Sequence, residues 1–285
     1  KFKGKTVFIA GNHDWYHGIE GLKAQSDFVI QYLNDTKAFL PRNSCGIERL
    51  KINDDAVLLV IDSQWFLEDW NKIPTINDDC DIKTHEAFFD EIKSELNKNQ
   101  DKIVIMAIHH PLISNSSHGG QVNSVRKNAL FLAEPNIYAV NYPGSVVVGS
   151  MAILWTTMNF IRPTIGIPQD IQSQPYSELA NRIKTLISDR NNVVVVSGHE
   201  HNLQYTEQGN IRQIISGAGS KTDEARAVYP NDFSAGKLGY AVLDIYKNQA
   251  VRVDFYGNEN NEEVHLFGKN ILNPTSEEQQ EYPTE

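Results

Sequence analysis

The sequence predicts a mixed α/β domain, and three observations carry that prediction. Apolar runs at residues 7–10, 103–108 and 193–196 each break off in a turn bearing Asn or His. Helical periodicities precede the second and third of these runs. Beyond residue 205 the pattern changes to short strands separated by Gly and Asn turns. Open α/β sheets place ligands at the C-terminal ends of their strands, so the three turns are candidates for one shared site.

In chain order, residues 5–10 read as a buried strand. A helix near 21–33 follows, with Leu22, Val29 and Leu33 on one face. Residues 57–61 form a second apolar strand. Phe88, Phe89, Ile92 and Leu96 recur at helical spacing and predict a helix over 83–97, which feeds the strand at 103–108. Leu179, Ile183, Leu186 and Ile187 predict another helix before the strand at 193–196. Short strands are expected near 211–215, 239–245, 250–256 and 263–267, as a meander. Residues 273–285 are rich in Glu, Gln and Pro and read as a linker or disordered tail. With 285 residues and 40% hydrophobic content, residues 1–272 are read as one domain.

One stretch interrupts the α/β order. Residues 135–161 contain no Asp, Glu, Lys, Arg or His and form the most apolar part of the chain. A membrane span needs about 20 mostly apolar residues, whereas Pro143, Gly144, Gly149 and several Asn, Ser and Thr punctuate this one. A single span would also put His109 and His199 on opposite faces of a bilayer. The segment is therefore read as part of a buried or lid-like insertion at about 135–170, the alternative being an interfacial hairpin that contacts a membrane or partner peripherally.

A net charge of −10 and the lack of a Lys/Arg-rich stripe argue against a groove that tracks long nucleic acid. Small phosphorylated substrates held by metal ions suit this composition. Cys45 and Cys80 lack metal-finger spacing and are either a disulfide of an oxidising compartment or two thiols.

The chemistry lies in Gly11-Asn12-His13-Asp14, in His109-His110-Pro111 and in Gly198-His199-Glu200-His201. A strand-end Asn-His in isolation is a turn or a cap; here two further motifs accompany it. Alternation turns one of His109 and His110 inward, and the spacing to Pro111 selects His109. His199 and His201, two apart, can face the same way. His13 adjoins Asn12 and therefore diverges from it. That suits His13 to binding a phosphoryl group or protonating a leaving oxygen, with Asp14 holding its other ring nitrogen. His17, His85 and His265 sit beside no motif and are read as surface residues, while Trp15 and Tyr16 are expected to pack at the mouth of the site.

These residues resemble the calcineurin-like metallophosphoesterases, whose blocks run Asp-x-His, Gly-Asp, Gly-Asn-His-Asp/Glu, a strand-end His and Gly-His-x-His. The last three occur in order; the first two occur nowhere in the chain. The string from Gly198 to Tyr205, and His109-His110-Pro111-Leu112 followed by His118-Gly119, resemble the tartrate-resistant purple acid phosphatase branch. The resemblance implies a four-layer α/β/β/α sandwich, here N-terminally incomplete. It implies two metal ions, drawn from Fe, Mn, Zn or Co, with Asn12, His109 and His199 on one and His201 on the other. It gives His118 a substrate-side role in phosphate binding or proton donation.

The expected function is hydrolysis of phosphate monoesters at a dinuclear centre. A nucleotide phosphatase or phosphodiesterase and a non-catalytic scaffold of the same fold are the alternatives. Without the two absent blocks, residues 1–285 alone are expected to be inactive. The acid phosphatase resemblance favours an extracytoplasmic setting.

Overall fold

The computed structural model describes residues 4–42, 45–116, 171 and 173–273. The expected insertion at 135–170, His118, and all of the expected tail except Asn273 lie outside the described residues.

The core is a seven-stranded sheet in the order β3 (Ile47–Lys51), β4 (Ala56–Ile61), β5 (Ile103–Ile108), β6 (Val193–Ser197), β8 (Ile211–Ser216), β7 (Leu203–Gln208) and β9 (Phe233–Ala235). Strands β4, β5, β6 and β8 run parallel; β3, β7 and β9 pair antiparallel to their neighbours. Both faces of the parallel centre are covered, which is why its strands read as continuous apolar runs. Along β5, Val104, Met106 and Ile108 join one apolar cluster, and Ile103 and Ile105 join another.

The first cluster lies under the helices: α1 (Gly18–Leu33), α2 (Ser63–Leu67), α3 (His85–Lys98) and α4 (Gln174–Ile187). Each is started by local chemistry or packing. Asp62 caps α2 by accepting from Trp65 N, Thr84 caps α3 by accepting from Ala87 N, and Pro175 stands in the first turn of α4. Trp65, wholly buried, packs its ring on Phe88 and Trp70 and pins α2 to α3.

The second cluster lies between this sheet and an antiparallel meander of β10 (Gly239–Ile245), β11 (Val251–Glu259) and β12 (Glu262–Leu272). Val251, Val253 and Phe255 of β11 face Ile105, Val194, Leu203 and Tyr205. A helix layer and two sheet layers are therefore in place. Every buried apolar residue of the four described helices belongs to the first cluster, so among the described residues no helix covers the outer face of the meander.

The expected buried strand at 5–10 shrinks to β1 (Phe8–Ile9), which pairs in parallel with β2 (Phe39–Leu40). A buried parallel strand needs a neighbour on each edge; among the described residues β1 has one, and Phe8 is 47% exposed. Ile9 and Leu40 cluster with Val60 and Ala107, on the meander side of the main sheet. The cysteines form a disulfide, Cys45–Cys80, with Cα atoms 5.3 Å apart, which ties the start of β3 to the loop before α3.

Candidate metal centre

Parallel pairing brings the C-terminal ends of β4, β5, β6 and β8 to one edge of the sheet, and β7 begins at that edge because it runs the other way. From these ends come Asp62 and Ser63, His109 and His110, Gly198 and His199, and Gly217. The turn after β1 approaches from the second layer and brings Asn12.

Asn12 is buried, and its Oδ1 lies 2.8 Å from His109 Nε2. His199 Nδ1 lies 3.3 Å from the same nitrogen. Ligand atoms around one ion with bonds of about 2.1 Å stand at such separations, so Asn12 and His199 each meet His109 at a spacing that a shared ion would suit. Burial, reinforced by His199, His13 and His201 nearby, lowers the His109 pKa to about 3 and keeps its ring neutral, the form that donates a lone pair to a metal. The contact needs Gly11: a Cβ there would stand 2.8 Å from His109 Nδ1.

His201 is also close enough to His109 to bear on its titration. Its Nδ1 lies 2.8 Å from Asp223 Oδ2, and Asp223 N donates to the His201 carbonyl. That pair fixes the tautomer in which Nε2 carries the lone pair. His199 and His201 both bear on His109, although the backbone between them is a turn and not a strand. His199 adopts a left-handed backbone, φ 64°, and the intervening Glu200 is fully buried, accepting from Ser114 Oγ at 2.7 Å.

His13 is exposed, as its divergence from Asn12 requires, and its ring lies 4.6 Å from that of Tyr16. Asp14 does not hold it. The Asp14 carboxylate turns back to accept from Gly11 N at 2.7 Å and closes the turn on itself, out of reach of the role expected for it. Trp15 is buried and donates from Nε1 to Asp62 Oδ2, while Tyr16 is 60% exposed. His17, His85 and His265 are exposed, the last paired with Asp254.

The one-in, one-out reading of the strand-end doublet is corrected. His110 is fully buried; its Nδ1 lies 2.7 Å from Ser63 Oγ, and its ring packs 4.5 Å from that of His199 and 5.1 Å from that of Tyr176. The doublet follows the last residue of β5, so strand alternation no longer applies to it. Two buried amides tie the following loop to the sheet: Gln213 Oε1 accepts from Leu112 N, and Gln204 Oε1 from Asn115 N. Ser63, Asp62 and Asp223 escaped the sequence reading, which selects His109 over His110. For Ser63 and Asp62 the signal was present, since they follow an apolar strand as the known motifs do; nothing local marks Asp223.

The calcineurin-like phosphoesterase profile matches residues 1–143. No curated protein sequence matches the chain. Among solved structures the fold is similar to that of a Plasmodium protein described as GAP50, the anchor in the inner membrane complex. That likeness has a TM-score of 0.56 at 16% identity and covers 97% of this chain and 69% of the other. The profile spans half of the chain, and the chain belongs to the calcineurin-like phosphoesterase family, whose chemistry is metal-dependent hydrolysis of phosphoesters.

Proposed function

We propose that this protein hydrolyses small phosphate monoesters, as acid phosphatases do, at a centre of two metal ions. The observation that carries this reading is the convergence of Asn12 Oδ1, His109 Nε2 and His199 Nδ1, from two sheet layers, within 2.8 and 3.3 Å contacts. Asn12, His109 and His199 would hold one ion and His201 would serve the second. Bound there, such ions acidify a water and offset charge on the phosphoryl oxygens.

The chain's own residues supply the rest. His13, exposed beside Asn12, binds the phosphoryl group or gives a proton to the leaving oxygen. Asp223 holds the His201 ring in its ligating tautomer. A net charge of −10 favours small phosphorylated substrates over long nucleic acid. The Cys45–Cys80 bond supports an extracytoplasmic setting, where disulfides persist.

The test is hydrolysis of p-nitrophenyl phosphate and of bis(p-nitrophenyl) phosphate by the intact protein, before chelation, after it, and after metal is returned. Loss and recovery with a preference for the monoester is the expected result; preference for the diester would shift the reading to a phosphodiesterase. A second reading, a scaffold of the same fold, is favoured by one observation: the close cluster of candidate ligands among the described residues contains three histidines and no carboxylate. The similar Plasmodium structure is described as an anchor, which is in keeping with it. Bound metal with no turnover of either ester would select the scaffold.

A further inference from the structure

The His109-His110 doublet brings two imidazoles to the same place. One ring nitrogen from each of His109, His110 and His199 lies within 4.8 Å of the others. Nitrogens sharing one ion stand about 3 to 4 Å apart, a spacing that this cluster approaches. The His110 ring is held for this. Its backbone N donates to Ser63 Oγ at 3.2 Å, and its Nδ1 lies 2.7 Å from the same oxygen. A hydroxyl oxygen has two lone pairs and can accept from both. In that arrangement Nδ1 carries the proton and Nε2 the lone pair, the tautomer that a metal ligand requires. Tyr176 backs the ring at 5.1 Å and is itself fixed by donating its hydroxyl to Pro111 O at 2.7 Å.

We propose that His110 is a third imidazole ligand of the ion held by Asn12, His109 and His199, and that this ion is a late first-row divalent metal such as Zn2+ or Co2+. The proposal rests on the reading of the site as a metal centre. Three imidazoles and an amide oxygen are neutral donors; they suit Zn2+ and Co2+, match poorly the oxygen preference of Mg2+ and Ca2+, and do little to offset the charge of Fe3+.

The experiment loads the intact protein with one equivalent of Zn2+ and counts coordinated imidazoles by X-ray absorption fine structure; three are expected. In parallel, Co2+ affinity is measured by visible absorption against a competing chelator for the wild type, His199→Ala, His110→Gln and Ser63→Ala. His110→Gln should weaken Co2+ binding and change the band pattern, and Ser63→Ala should cost about tenfold in affinity. A count of two imidazoles, with His199→Ala losing metal and His110→Gln binding as the wild type does, overturns this inference and leaves the metal-centre reading standing. Failure of the wild type to bind either ion overturns both. The imidazole count is made on wild-type protein, so instability of the His110 variant cannot obscure the answer.

Discussion

Asn12 Oδ1 and His109 Nε2 meet at 2.8 Å although 97 residues separate them, one arriving from the turn after β1 and the other from the end of β5. Neither strand belongs to the same sheet as the other. The site is therefore a joint between two layers, and it depends on both being packed together. Asn12→Ala removes one donor without disturbing the sheet that carries His109 and His199. Bound metal per chain, read by atomic emission, should fall, and kcat/KM on a phosphate monoester should fall by about 100-fold or more. Unchanged metal content and turnover would refute a ligand role for Asn12.

His13 is exposed beside Asn12 and free of the Asp14 carboxylate, which bonds Gly11 N instead. If it protonates the leaving oxygen, His13→Ala should slow alkyl phosphates by about 10²- to 10⁴-fold and aryl phosphates, whose leaving groups need little help, far less. Asp14→Ala should not reproduce that leaving-group pattern, because it acts on the turn. Equal losses on both ester types for His13→Ala would assign the residue to phosphate binding.

Much of this architecture was legible in the sequence because the parallel strands are buried on both faces. A run such as Ile103–Ile108 has no other home, and Val104, Met106 and Ile108 meet the helix face while Ile103 and Ile105 meet the meander. Phe88, Phe89, Ile92 and Leu96 marked α3 for a different reason, since they are its only buried residues and recur at helical spacing. Apart from β7, whose apolar residues alternate with buried Gln204 and Thr206, the strands that escaped were short or irregular. β2 and β9, with 2 and 3 residues, are too brief to show a period, and β3 is half exposed, its Ile47 and Leu50 interleaved with Glu48, Arg49 and Lys51. In the site, period-2 reasoning failed at His109-His110 because the doublet lies beyond its strand, where turn geometry aims the side chains. Asp223 reaches His201 through the fold alone.

The Cys45–Cys80 bond joins residues 35 apart, and the protein should tolerate its loss poorly. Closing a loop of that length restrains the unfolded chain by about 3 to 4 kcal/mol in the entropic account. The Cys45→Ser, Cys80→Ser double variant should melt about 5 to 10 °C lower in a thermal scan. Native protein should show no reactive thiol before reduction; two thiols titrating without reductant would contradict the bond.

Asp62 is wholly buried, and burial raises its pKa from 3.8 to about 7 against the opposing pull of hydrogen bonds from Trp65 N and Trp15 Nε1. Between those two values the folded protein holds a proton that the unfolded chain has released, so stability declines as pH rises through this window. Below about pH 4 both states are protonated and the contribution is fully present; above about pH 7 it is lost. Asp62→Asn removes the titration and also one acceptor, a fixed cost independent of pH. The melting temperature of the wild type minus that of the variant should therefore be larger at pH 5 than at pH 8. A difference that is flat with pH, or that grows toward pH 8, would show that Asp62 is charged in the folded protein throughout.

Gly217 follows β8 and passes directly over the backbone of the Gly198–His201 turn. A Cβ at this position would overlap Glu200 O and stand 3.4 Å from Gly198 C. Backbone atoms cannot swing aside as a flexible side chain would, so Gly217→Ala must displace either the Gly217 turn or the loop that carries His199 and His201. Overpacking of this kind costs about 1 to 3 kcal/mol, and the displaced loop moves His199 Nδ1 away from His109 Nε2, which now lies 3.3 Å from it. Gly219→Ala, where a Cβ meets nothing within 4 Å, is the matched control. Zn2+ affinity by competition titration should fall in Gly217→Ala and hold in Gly219→Ala. Equal affinity in the two variants would mean that the turn relaxes on the Gly217 side and that the metal loop does not depend on this glycine.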